Sequence, residues 1–183
     1  LLRGGAAGFS PLATLAPGGL VTALAIADVT GDGIPDLLAA TSRGLLLYAG
    51  TGGGGFQTPT MLLAGSNVAS LAVGDLTHDG RLDIVAGLTL GTQAMPAPAV
   101  EVLLNQGGGS FAAPAGYASM PAFVPATAMV GIGPADGVGT PDILAQIQTG
   151  GPAAELMVLS GAGDGSFTTS FTTALPGRGA LQV

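Results

Sequence analysis

Eight of the nine Asp residues fall in three short loops of a chain that is otherwise almost uncharged. The first loop reads Asp28-Val-Thr-Gly-Asp-Gly-Ile-Pro-Asp36 and the second Asp75-Leu-Thr-His-Asp-Gly-Arg-Leu-Asp83. Crowding like charges costs energy unless something positive offsets them. A hard dication is the usual offset, and calcium takes six to eight oxygens. In the first loop Asp28, Thr30 and Asp32 stand at the first, third and fifth positions. Ile34 offers its carbonyl at the seventh, Asp36 closes the ninth, and Gly33 at the sixth permits the sharp turn. The second loop repeats the set with Asp75, Thr77, Asp79, the Arg81 carbonyl and Asp83. The expectation is two calcium sites. An EF-hand is excluded, because its loop closes on a Glu at the twelfth position, where this chain has Ala39 and Ala86. The third loop, Pro134 to Asp142, keeps the frame but has Pro134 and Val138 where Asp is expected. With only Asp136 and Asp142 left, it reads as an occluded or metal-free turn.

Other chemistry is sparse. His78 is the sole His and sits inside the second loop, at a position expected to face solvent. There is no Cys, no Lys and no paired Glu or Asp outside the loops, so catalysis is not expected. Gly52 to Gly55 lacks the Lys-Ser/Thr of a phosphate loop. Asp164 reads as a turn residue. Tyr48 and Tyr117 are the candidates for stacking on a sugar, in a chain without Trp.

The loops must be held by short strands. Leu24-Ala-Ile-Ala27 and Leu71-Ala-Val-Gly74 lead into them; Leu37 to Ala40 and Ile84 to Gly87 leave them. Leu45 to Tyr48, Val100 to Leu104 and Leu156 to Leu159 then run into Gly-rich turns. Short apolar runs bounded by Gly, Pro and Asp read as buried strands. Phe9, Phe56, Phe111 and Phe167 each follow a Gly-rich stretch, and Phe9 to Asp36 and Phe56 to Asp83 are both 27 residues. Two landmarks at one spacing mark a repeat. About four strands per ~50 residues match a propeller blade. The expected units are 20–66, 67–122 and 123–178 within a single domain over 1–183. Residues 1–19 would end a preceding blade and 179–183 would start a further one. Met95-Pro-Ala-Pro98 is the expected loop insertion of the second unit.

Taken together, the strand, Asp loop, strand and Gly-Phe turn resemble the FG-GAP/VCBS repeat family, the calcium-binding blades of integrin-α-like β-propellers. The resemblance implies an all-β fold of about three and a half four-stranded blades, part of a larger or oligomerically completed propeller. It implies protein or carbohydrate contacts through loops on one face. Thr30 and Thr77 replace the usual Asn or Asp, which implies weaker binding.

Composition narrows the partners. The 183 residues carry four Arg, nine Asp and two Glu, a formal charge of −7. Without cations to displace phosphate counterions, nucleic acid is excluded as a partner. No run approaches the ~18 apolar residues of a spanning helix, so no membrane insertion is expected. The opening Leu1-Leu2-Arg3 lacks Met and a signal pattern, as expected of a processed or excised product. Only 8% of residues are charged, which reads either as a Gly/Ala/Thr-rich secreted style or, the reading favoured here, as surface covered by neighbouring blades or subunits of one assembly. Head-to-tail contacts would close a ring or run on as a filament. The function expected is a non-enzymatic, calcium-stabilised scaffold or adhesion module, extracellular or at the cell surface, with a protein or glycan ligand. The alternatives are a calcium-dependent lectin and a non-catalytic domain of a larger secreted enzyme.

Overall fold

In the computed structural model the chain is all-β, with no helix among the described residues 2–5, 8–11, 14–91, 96–120, 125–135, 137, 139–150 and 154–175. None is therefore long and apolar enough to cross a membrane. A hairpin opens the chain, β1 (Leu2–Gly5) with β2 (Gly8–Pro11). Three four-stranded antiparallel meanders follow, each a propeller blade. The first is β3 (Val21–Ala27), β4 (Asp36–Thr41), β5 (Gly44–Tyr48) and, beyond the small hairpin of β6 (Gly50–Gly52) and β7 (Gly55–Phe56), β8 (Thr60–Met61). The second is β9 (Val68–Gly74), β10 (Asp83–Leu90), β11 (Ala97–Leu103) and, beyond the hairpin of β12 (Asn105–Gly107) and β13 (Ser110–Phe111), β14 (Ala115–Met120). The third is β15 (Ala126–Gly133), β16 (Asp142–Thr149), β17 (Ala154–Gly161) and β18 (Phe167–Leu175).

The strand pattern follows from burial on both faces. β4 is buried at every position, and β10 at all but Thr89. Such strands read as continuous apolar runs rather than alternating ones. The first strands of the blades, β3, β9 and β15, lie side by side, and one core runs through all three blades, including Leu38, Leu47, Ile84, Val100, Ile143 and Leu159. A smaller cluster of Leu37, Ala39, Leu46 and Tyr48 is packed by Leu15 and Phe56. The Gly-rich turns are needed for their backbone: Gly52, Gly53 and Gly54, and again Gly107, Gly108 and Gly109, all have positive φ. Three left-handed residues in a row are accessible only to glycine at low cost.

One sequence expectation changes here. The Pro-rich insertion is a strand from Ala97 onward: Pro98 pairs with Ser119 on β14, while residues 92–95 lie outside the described residues. Pro98 is tolerated because the β10 pairing ends at Val100, so no ladder bond is asked of its missing N–H on that side. The terminal segment 179–183 also lies outside the described residues.

The second and third blades are tied by polar contacts at their inner strands. Ser70 Oγ donates to the Ala128 carbonyl at 3.0 Å and accepts from the Val130 N–H at 3.1 Å. Gly87 lies beneath this bridge, where an added Cβ would stand 2.4 Å from both the Ala128 carbonyl and Ser70 Oγ. Gly87→Ala should therefore push the two blades apart and destabilise the chain by about 1–3 kcal/mol, read as a lower midpoint in chemical denaturation. An unchanged midpoint would show that the second and third blades are not close-packed there.

Candidate functional site

Each Asp loop joins the first strand of a blade to its second, so register fixes where its carboxylates stand. The ninth-position Asp opens the second strand opposite the last residue of the first: Asp36 pairs with Ala27, Asp83 with Gly74, Asp142 with Gly133. All three are buried. Asp36 Oδ2 accepts from the Val29 and Thr30 N–H groups, both at 2.9 Å, and Oδ1 from the Gly50 N–H at 2.8 Å. Asp83 Oδ2 accepts from Leu76 at 2.9 Å and Oδ1 from Asn105 at 2.8 Å. Asp142 Oδ2 accepts from Ala135 at 2.6 Å and Oδ1 from Gly161 at 3.1 Å. One carboxylate thus binds the loop start to the end of the blade's third strand in all three blades. The third loop keeps it although Pro134 and Val138 replace its other acids; Asp136 and Val138 lie outside the described residues.

The first-position Asp folds the loop over itself. Asp28 accepts from Gly31 at 2.7 Å, Asp32 at 3.2 Å and Gly33 at 2.8 Å. Desolvation raises its carboxyl, but these N–H groups and the Thr30 hydroxyl outweigh it and hold it below its ordinary value. Asp75 is the same, accepting from Asp79 at 3.2 Å and Gly80 at 2.9 Å, and is also held low. The fifth-position Asp turns to the seventh residue's N–H: Asp32 to Ile34 at 2.8 Å, Asp79 to Arg81 at 2.9 Å. Gly31 and His78 take left-handed backbone at the fourth position, and His78 is exposed there, as its place in the loop predicts.

These contacts define how far the loops fit a cation. Among the described residues no three carboxylates converge on one point. Mixed oxygen sets do assemble. Thr30 Oγ1 lies 3.5 Å from both Asp28 Oδ1 and Asp36 Oδ1. In the second loop Thr77 Oγ1 is buried without a partner. Asp83 is pushed up by burial and by the charges of Asp79 and Asp75, against the N–H bonds from Asn105 and Leu76. Carboxylate oxygens that accept one N–H keep a lone pair for a cation, so this oxygen-only set suits calcium.

Between the two loops lies a cleft of about 640 Å³, lined by Asp28, Thr30, Arg81, Asn105 and Gly108 among others. Arg81 pairs with Asp79 through Nη2, and its Nε donates to the Asn105 carbonyl at 3.0 Å. Asn105 is the residue that sequence reasoning missed. Its Nδ2 donates to the Val29 carbonyl at 2.8 Å and the Leu82 carbonyl at 2.9 Å, joining the first loop to the second. The signal was its place at the mouth of a Gly-rich turn, where the other blades carry Gly50 and Gly161. The tyrosines offer less than their type allows: Tyr48 is core, and Tyr117 is half-buried, edge-on to Phe167 at 5.6 Å. Asp164 is a turn residue that caps Ser166.

A second cleft, of about 310 Å³, lies at the opposite end of β10, lined by Ser66, Asn67, Thr89 and Glu101. Glu101 Oε2 is buried without a partner, and desolvation raises its carboxyl. A raised carboxyl stabilises the fold while protonated and loses that contribution as pH rises. Glu101→Gln should therefore raise the melting midpoint at neutral pH, and the gain should vanish below 4.5, the group's ordinary value; a gain that persists in acid would mean that charge is not its cause. Asp142→Ala should leave the part-buried Ala135 and Gly161 N–H groups without their carboxylate acceptor and cost about 1–3 kcal/mol in urea denaturation, equally in calcium and in chelator. A loss confined to calcium would make Asp142 a metal ligand instead.

The FG-GAP-like repeat family matches residues 28–86, from the first loop through the start of β10. No curated protein matches the chain in sequence. Among solved structures, a lectin of Agrocybe aegerita, described for its specific recognition of non-reducing terminal N-acetylglucosamine, superposes with a TM-score of 0.52 at 24% identity. The superposition covers 85% of this chain and 38% of the lectin, so the chain spans well under half of that protein's length. At this identity the likeness concerns the fold, and it agrees with the meanders. Residues 28–86 thus match an FG-GAP-like repeat, within an all-β chain of propeller blades.

Proposed function

We propose that this chain is a non-enzymatic binding module whose first two Asp loops each hold a calcium ion, and whose ligand, a protein or a glycan, docks in the cleft between them. The observation that carries the reading is the unmet demand in the second loop. A buried threonine hydroxyl has no partner there, and in the same loop a buried carboxyl is pushed up by burial and by two neighbouring carboxylates. A dication would answer both. Asp28, Thr30, Asp32, the Ile34 carbonyl and Asp36 would hold one ion; Asp75, Thr77, Asp79, the Arg81 carbonyl and Asp83 the other. The ion supplies charge neutralisation and a cross-link between the strands flanking each loop. The chain's own residues do the rest: Asp28 and Asp75 shape the turns, and Asn105 holds the two loops side by side. With Thr at the third position, weak sites suited to an extracellular setting are the natural regime, since such modules work at dissociation constants of ~10⁻⁴–10⁻³ M.

A glycan ligand makes the second reading, a calcium-dependent lectin. The polar lining of the cleft favours it, and the Agrocybe aegerita lectin, which has the same fold, recognises a sugar.

Thermal unfolding in millimolar calcium and in excess chelator tests the first claim. A site at ~100 times its dissociation constant adds about 2.7 kcal/mol, a rise of roughly 5–10 °C for a chain of this size. Asp32→Ala and Asp79→Ala should each remove part of the rise and leave the chelator curve nearly unmoved, because neither side chain is buried. Coincident curves for the unmodified chain would end the calcium reading. Glycan-array binding that disappears in chelator would select the lectin over a protein ligand.

A further inference from the structure

The blades pack by one rule, visible when each first strand is counted back from the residue opposite the buried Asp. That residue is Ala27, Gly74 or Gly133. One and three places earlier stand large residues: Ile26 and Leu24, Val73 and Leu71, Ile132 and Val130. They point toward the preceding blade. At the residue itself and two places earlier stand small ones: Ala27 and Ala25, Gly74 and Ala72, Gly133 and Gly131. They point toward the following blade. Large side chains of one blade therefore fill the space over small ones of the blade before it. At the second interface, Ile132 Cδ1 lies 3.3 Å from where a Cβ on Gly74 would stand. At the first, Ala25 and Ala27 on one side and Leu71 and Val73 on the other pack against the common core.

The described chain shows the two halves of this interface again, unpaired, at its ends. On the leading side of the first blade Leu24 is 63%, Ile26 69% and Val21 39% exposed, although the equivalents Leu71 and Val73 are half-buried and Val68 is buried. The outer part of that side is already closed by Leu15 and Phe56 over Leu37 and Tyr48. On the trailing side of the third blade an added Cβ at Gly131 or Gly133 would meet open space. Beside them Met129 is 54% and Phe171 51% exposed, and Gly131, Leu144, Val158 and Phe171 form one cross-strand row. None of these residues is charged.

We propose that the leading side of the first blade (Val21, Leu24, Ile26) packs on the trailing side of the third blade (Gly131, Gly133, Met129, Phe171) of a second copy of this chain. The argument is continuity: the contact repeats the two blade interfaces already formed within the molecule, large residues over glycine. Both halves are present on every copy, so the association is head to tail. Two copies bring six four-stranded blades, within the four to eight of closed propellers. The ring then closes as a twofold dimer, in which every copy uses both faces.

Sedimentation of the 183-residue chain over a wide concentration range, in calcium and in chelator, tests this apart from the metal reading, since neither face includes an Asp loop. The expected species has twice the 17.5 kDa chain mass. Ile26→Glu and Met129→Glu place a charge on one face each and should each raise the dissociation constant about a hundredfold or more. Circular dichroism confirms that each variant keeps its strands, and Ile26→Ser and Met129→Ser serve as the milder pair. Mixing the two Glu variants leaves one intact interface per pair and should restore a 1:1 complex that neither forms alone. A 17.5 kDa monomer at every concentration overturns the proposal; it is the result expected if another protein, or further blades of a longer polypeptide, cover these faces. Dimers that survive in one variant alone also overturn it, because a face would then be pairing with itself.

Discussion

The fold turns on a buried carboxylate that recurs once per blade. Asp36, Asp83 and Asp142 each carry a charge into the protein interior, where the desolvation penalty is several kcal/mol unless hydrogen bonds replace the lost water. Backbone N–H groups on both oxygens do so. The donors come from two places far apart in sequence, the start of the Asp loop and the end of the third strand. A single side chain thereby fixes the angle at which the loop leaves the first strand and the point at which the third strand turns outward. The close approach it demands is visible in the first and third blades. There the residue donating to Oδ1 is Gly50 or Gly161, and an added Cβ would stand 2.3 or 2.2 Å from the carbonyl of Pro35 or Pro141.

This separates two kinds of acid within one nine-residue motif. The ninth Asp is an interior structural group; the first and fifth lie nearer solvent and shape the turn itself. The third blade is the natural control. Its loop has lost acids at two positions and keeps the ninth, together with the two hydrogen bonds that define it. A loop selected only for a cation would have no reason to keep those two hydrogen bonds after losing the acids at its first and fifth positions. Any ion held by the first two loops therefore adds to a frame the backbone already closes, a sound arrangement for weak sites, because the blade does not need the ion to find its register.

Much of this was legible in the chain. The strands declared themselves because runs such as Leu37 to Ala40 are bounded by Asp, Gly and Pro, and because Phe and Asp landmarks repeat at a fixed spacing. What stayed hidden has physical reasons. Pro98 reads as a loop residue, since sequence alone does not say on which side a strand lacks a hydrogen-bonded neighbour. Asn105 joins two blades through its Nδ2, which donates to the Val29 and Leu82 carbonyls, yet nothing in its type or neighbours distinguishes it from an ordinary turn former. The burial of Asp36 and Asp83 was hidden too, because a pattern of acids shows charge and spacing but not depth. Tyr48 looked available for a ligand until packing placed it under Leu15 and Phe56.

The low charge content then follows from the packing rule rather than from any feature of a ligand. A blade between two others has no free sheet face, so its strands can be apolar on both sides, as β4 and β10 are. Polar residues then concentrate in the loops, where most of the acids lie. Alternating large and small residues on opposite sides of each first strand gives every interface a direction, since a large face fits a small one and not another large one. Stacking in a single sense is thus written into the first strand of every blade, and the same asymmetry that orders blades within the chain orders whatever blade comes next.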